Sequence, residues 1–355
     1  MKFVVYIKLR KYLPSIALLL LVSVRLCIDM LVTGELFKQS TLTIPFAKKI
    51  AEDVTLRTRE VLPAVHADLL LGMTIGVDTI KGDTKFYQDL ITTGLVHVVV
   101  VSGYNVALVM NAVSKVFADR LKARNKIVLF VFLLVYTVIC GCQPPVIRAA
   151  IMGYVSYLAL AEGRALNGLI LLVDVCLLML VVFPEFIKSL SFWLSVGSTL
   201  GLMFFGHFIG SRMERYCANL PRWVTNILPL EDLSNSLACQ LMVWPLISYF
   251  FGRVSVVSPI YNMAVLWLVP MCTILGFAFL LTLYLLPFTN SLMVALIMPF
   301  YDSFYRVISF FAFLDQGSVQ IKITLTFFIL YYIALSGAVV IARRLNQQLK
   351  VVTIS

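Results

Sequence analysis

A chain of 355 residues has room for two soluble domains, but 61% of its residues are apolar and only 13% are charged, against about 45–50% and about 25% in ordinary globular proteins. Those proportions exclude a soluble fold and predict a polytopic membrane protein. At about 20 residues per span, the crossings leave mostly short connectors and no room for a large catalytic domain. The formal charge of +11 suits nucleic acid, anionic lipid or the orientation bias of cytoplasmic loops, and only its distribution chooses among them.

Residues 1–13 hold Lys2, Lys8, Arg10 and Lys11 without an acid, and an apolar run over 14–34 follows. The pattern predicts a cytoplasmic amino terminus and an uncleaved first anchor rather than a signal peptide. Residues 35–92 turn polar and nearly neutral. Within them Phe46, Ile50, Val54 and Val61 fall near helical spacing, with Lys48 to Glu52 and Lys49 to Asp53 at i,i+4, which predicts an external amphipathic helix on the membrane face.

Apolar runs follow at 94–114, 127–143, 145–161, 167–184, 190–210 and 234–251. The basic connectors 115–126 and 211–232 then fall inside by alternation. The stretch 254–286, with Pro270 near its middle, reads as one broken or re-entrant segment plus a crossing, allowed where freed backbone lines protein or water. Runs at 289–313 and 321–342 complete an all-α fold of about ten transmembrane helices, and Arg343, Arg344 and Lys350 in the tail 343–355 stay inside. Orientation alone thus accounts for most of the positive charge. The expected core of the molecule is 93–285, with C-terminal transmembrane helices over 286–342.

No GxxxxGK[ST] sequence encodes a nucleotide motor, and three scattered histidines cannot build a hydrolytic metal centre. The seven cysteines contain no CxxC pair, Cys140 and Cys142 being the only close couple. No enzymatic activity, metal or other cofactor is expected.

A charge at membrane depth costs about 2.5–3.5 kcal/mol on insertion scales, so each one is a functional candidate. Arg25 and Asp29, and again Asp302 and Arg306, are four residues apart and can neutralise each other on one helix face. Asp174 has no local partner and calls for another helix or a wet cavity. The densest polar constellation is Thr93–Val106, where a β-branched run ends in Ser102-Gly103. This is poor helix material and predicts a break. His97, Ser102 and Asn105 there can line an aqueous path, with Gly103 admitting a helix or ligand; a plain helix contact with His97 as glue is the alternative. In the cluster Gly141–Ala150, prolines open a helix and Arg148 lies one turn below the surface, either snorkelling or contacting phosphates.

These residues resemble the competence domain of the ComEC-type DNA-uptake channels of bacteria. The resemblance rests on Leu69-Leu70-Leu71-Gly72, Phe86, Thr93-Gly94, His97, Ser102-Gly103 and Asn105, the last standing where a second histidine is usual. It continues through Arg148-Ala149 with Met152, through Ser191-Phe192-Trp193-Leu194-Ser195 with Trp193 replacing a glutamine, and through Gln240-Leu241, Pro245, Phe251-Gly252 and Asn262 ahead of Pro270. The OB-like and metallo-β-lactamase-like domains of full-length members have no counterpart, so nuclease activity is not carried over.

The resemblance implies an inner-membrane channel for single-stranded DNA, lined by His97, Ser102, Gly103, Asn105, Arg148 and Asn262. Tyr104 and Trp193 are candidates for base stacking, although packing in the bundle suits both as well. Moving each phosphate against a negative interior costs up to about 2.3 kcal/mol per 100 mV, so a cytosolic ATP-driven DNA translocase must pull. An external DNA receptor, a separate nuclease, membrane lipid and a homo-oligomer complete the implied partners. The rival readings are a secondary transporter of a small solute, using Asp174 or the Asp302/Arg306 pair as its ion site, and a scaffold that anchors uptake proteins.

Overall fold

The computed structural model describes residues 13–33, 45–77, 84–116, 123–217, 230–252, 254–314, 318–319 and 321–352. In chain order the helices are α1 (Leu13–Thr33), α2 (Pro45–Val61), α3 (Ala64–Ile75), α4 (Thr84–Thr93), α5 (Val96–Val99), α6 (Gly103–Val116), α7 (Ala123–Ile139) and α8 (Pro144–Ala161). They continue with α9 (Gly168–Val182), α10 (Leu190–Gly201), α11 (His207–Cys217), α12 (Leu230–Phe251), α13 (Ser258–Val265), α14 (Leu268–Leu285), α15 (Asn290–Leu314) and α16 (Leu325–Val352). The strands β1 (Val254–Ser255) and β2 (Ser318–Val319) form one short antiparallel pair.

Among the described residues five helical runs are long and apolar enough to cross a membrane: Val96–Lys115, Pro144–Ala161, Leu190–Cys217, Leu268–Leu285 and Pro287–Leu314. Two further apolar helices, Ala64–Ile75 and Gly168–Val182, are shorter. At 1.5 Å per residue, 12 to 15 residues reach only about 18–23 Å, less than the roughly 30 Å hydrocarbon layer. The structure is helical and membrane-like in composition, with five such helices among the described residues where simple counting expects ten crossings along the whole chain.

The chain divides into two compact units, Met1–Val196 with Ala264–Leu314, and Gly197–Met263 with Asp315–Ser355. In the first unit α3 is the centre. Nine successive residues, Ala67–Ile75, are buried on every side of the helix, Asp68 and Thr74 included. A helix apolar all round belongs in a core. Although it lies within the stretch 35–92 that reads as an external surface segment, α3 packs against α2, α14 and α15. Gly276 of α14 allows this crossing. A Cβ there would stand 2.6 Å from Tyr301 Oη and 2.7 Å from Thr74 Cγ2.

The stretch 254–286 is interrupted, as its length predicts. The interruption falls between α13 and α14, at 266–267, and Pro270 lies in the first turn of α14, where its missing N–H and fixed φ cost little.

In the second unit Gly197, Gly201, Gly206 and Gly210 all face α12, meeting Val243, Ala238, Asn235 and Ser234. The spacing of four, five and four residues would drift off one face of a regular α-helix. A π turn over Leu202–Gly206 absorbs the extra residue and keeps the stripe aligned. The approach is close: a Cβ on Gly201 would lie 2.3 Å from Ala238 O.

Candidate functional site

The break predicted in Thr93–Val106 is an actual interruption of the helix. Gly94 takes φ +74°, α5 makes a single turn, and Val100 is extended at φ −86°, ψ 144°. The helix resumes as α6 at Gly103. The run of β-branched valines and the Ser-Gly step disfavour continuous helix there, as expected from propensity.

The two sides of this break carry the polar groups. On one side lies the carboxyl end of α3, terminated by Gly76 at φ +72°. Its last carbonyls have no helical partners and must find others. Three side chains from three segments supply them. Asn105 Nδ2 donates to Met73 O, Tyr136 OH to Thr74 O, and Gln143 Nε2 to Gly76 O, each at 3.0 Å. Asn105 is fully buried and its Oδ1 has no partner among the described residues. It therefore holds α6 to α3, a packed position rather than the open lining position read from the sequence.

On the other side lies Arg148. It projects from α8, its Nε donates to Ser195 Oγ of α10 at 2.9 Å, and Nη1 meets Met152 Sδ at 3.6 Å. A Cβ on Gly103 would stand 3.1 Å from Arg148 Nη2 and 3.4 Å from Ala149 Cβ. The structure thus brings Gly103, with Ser102 beside it, to Arg148 and Ser195. The guanidinium is half-buried, and among the described residues no carboxylate pairs with it. A half-buried cation without a counter-charge costs free energy that an anion would offset.

The remaining candidates are spread around this core. His97, one turn before the break, is exposed and its Nδ1 lies 3.0 Å from Gly94 O. A carbonyl can only accept, so Nδ1–H is the donor in this contact. Tyr104 is 48% exposed and Trp193 42%. Trp193 also donates Nε1–H to Ile187 O at 2.7 Å and meets Phe192 edge-on, as packing requires. Asn262 lies in the second unit, buried, with Nδ2 donating to Ser236 Oγ at 2.9 Å.

The charges considered for an ion site have partners. Asp174 accepts a hydrogen bond from Ser15 Oγ at 2.5 Å, joining α9 to α1. Asp302 pairs with Arg306 at 2.7 Å, as the i,i+4 spacing predicts, and lies 3.8 Å from His66 Nε2. The side chain of Asp29 is outside the described residues, so the Arg25 pair is not placed. Sequence reading missed Ser195 and Gln143 as site residues, and Asp68, which is buried and bridges to Arg59 at 2.7 Å. A serine inside an apolar helix, or a glutamine at a helix start, carries no periodic signal that marks it as a site residue.

An uncharacterized protein of Aquifex aeolicus (strain VF5) is 36% identical over 112 residues, which cover 31% of this chain and 26% of that protein. The matched part thus spans about a quarter of that relative. No solved structure matches the chain. A model of the Competence protein family matches residues 74–345. That region contains the break, Arg148, Ser195 and most of both units, and the chain belongs to the Competence protein family.

Proposed function

We propose that this protein takes part in DNA uptake during transformation, as the inner-membrane component that admits single-stranded DNA to the cytoplasm. Family membership supports the uptake role. The observation that carries the finer reading is Arg148, a half-buried guanidinium beside a helix break with no carboxylate paired to it among the described residues. Phosphate is the anion a planar guanidinium recognises best. His97 and Ser102, next to the break, extend the polar path, and exposed Tyr104 offers a ring to a passing base.

The chain encodes no nucleotide-binding loop, so inward pulling is assigned to a cytosolic ATP-driven translocase, delivery to an external receptor, and degradation of the second strand to a separate nuclease. Asp174 and Asp302, the ion site of the transporter reading, are engaged by Ser15 and Arg306.

The test is uptake of labelled DNA in cells lacking the chain and in cells with it restored, separating DNA held outside from DNA in the cytoplasm. Deletion should leave surface DNA and abolish entry. Arg148→Ala should lower entry by about tenfold or more, the worth of one charge-assisted contact, with the protein still present in the membrane. Normal entry in the deletion strain would overturn the reading.

A further inference from the structure

On the reading that Arg148 meets DNA phosphate, its aim is set by groups that carry no charge. A guanidinium presents five N–H donors in a rigid fork. In Arg148 the Nε–H is taken by Ser195 Oγ at 2.9 Å, and Nη1 faces only a thioether, Met152 Sδ, at 3.6 Å. Sulfur is a weak acceptor. Nη2 occupies space that exists because residue 103 is glycine: a Cβ there would approach to 3.1 Å. Ser195 is 9% exposed and stands on α10, a different helix from Arg148. Holding Nε from a second helix fixes the plane of the fork, and the Nη edge is left for a ligand with two oxygens side by side.

We propose that Arg148, oriented by Ser195 and given room by Gly103, forms a bidentate oxyanion site whose ligand is a phosphodiester of the translocated strand. Ser195 is a positioning residue: it touches the guanidinium and not the strand. Gly103 is the second, and acts by being small. Free inorganic phosphate offers the same pair of oxygens, so the test separates the two sources.

The full chain in lipid nanodiscs is titrated with a fluorescent single-stranded oligonucleotide over a range of salt, with and without excess inorganic phosphate. Ser195→Ala should weaken strand binding about threefold to thirtyfold, the range for one hydrogen bond to a charged group. Its salt dependence should stay as in the wild type, because the charge is kept. Ser195→Thr keeps the hydroxyl and should restore affinity. Gly103→Ala should weaken binding by displacing Nη2. Arg148→Gln should weaken binding and also reduce the slope of log K against log salt by about 0.7, one phosphate contact on a single strand. Thermal melting of each variant reports folding, and Ser195→Thr decides the matter where Ser195→Ala melts early.

Strand binding indifferent to Ser195→Ala and Gly103→Ala, but reduced by Arg148→Gln, would overturn the positioning pair and leave the uptake reading standing. No strand binding by the wild-type chain would overturn the uptake reading. Displacement of the strand by equimolar phosphate would overturn the phosphodiester assignment in favour of a free oxyanion.

Discussion

Tyr136 and Gly276 show how single atoms hold the centre of the first unit. Tyr136, 4% exposed, spends its hydroxyl proton on Thr74 O at the end of α3. Tyr136→Phe removes the donor and leaves a buried carbonyl unsatisfied, at a cost of about 1–3 kcal/mol. Gly276→Ala meets Tyr301 Oη and Thr74 Cγ2 within 2.6 and 2.7 Å, and overpacking of this kind costs about 1–3 kcal/mol. Thermal unfolding of the purified chain should show both variants melting below the wild type. Neither role is legible in the sequence. Tyr136 reads as one more aromatic in an apolar run, and Gly276 as a flexible point in a span, because the partner of each lies on a helix distant in sequence. Asn105 is the instructive opposite: its polarity at membrane depth marked it out, but its amide Nδ2 donates to Met73 O and its surface is fully covered.

Among the elements, α2 joins surface and core. It is amphipathic, with Lys48 3.8 Å from Glu52 and Arg57 3.1 Å from Asp53 on its exposed face. Its apolar residues Ile50 and Val54 pack with Leu71, Ile75 and Leu280. The same helix reaches α14 through polar groups: Tyr284 OH donates to Asp53 at 2.5 Å, and Arg57 lies over the Tyr284 ring at 5.0 Å from its centroid. The Tyr284 hydroxyl, and after it Arg57, hold the Asp53 carboxyl below its usual value. A carboxylate with a depressed folded pKa adds stability above its unfolded pKa, near 4, and loses it as pH falls through the folded value. The melting difference between wild type and Tyr284→Phe should therefore be constant from pH 7 to about 5 and vanish at lower pH. A difference that grows on acidification would contradict the contact. The helix breaks follow similar logic of local chemistry. Val100–Ser102 was legible because β-branching and Ser-Gly act on their own backbone. The exact break before α14 was not, since Pro270 is as compatible with a helix start as with a kink.

For the whole molecule the consequence is one of sidedness. Strict alternation of ten crossings puts the end of the 254–286 segment inside, opposite the external segment 35–92. In the first unit Leu280 of α14 shares a cluster with Val54 of α2 and with Ile139 at the end of α7, and Tyr284 bonds Asp53. The end of α14 and helix α2 therefore lie at one end of the unit, which strict alternation with an external 35–92 segment would not produce. Single cysteines at Lys48, whose side chain is 71% exposed, and at Phe288, 83% exposed, should react with a membrane-impermeant thiol reagent from the same side of intact cells or inverted vesicles. Labelling from opposite sides would restore the simple count.

The sequence by itself determined that this is an apolar, helical, membrane-like protein, that a helix fails within Thr93–Val106, and that its ordered motifs resemble the Competence family. Composition, propensity and spacing are properties of the chain taken locally, so they survive without coordinates. Only the tertiary structure decided that α3 is a buried core helix, that Asn105, Tyr136 and Gln143 close its end, and that Ser195 and Gly103 meet Arg148. Those facts depend on contacts between residues 32 to 67 positions apart along the chain and in different segments. A polar side chain in an apolar run announces that it needs a partner, and folding alone chooses which one.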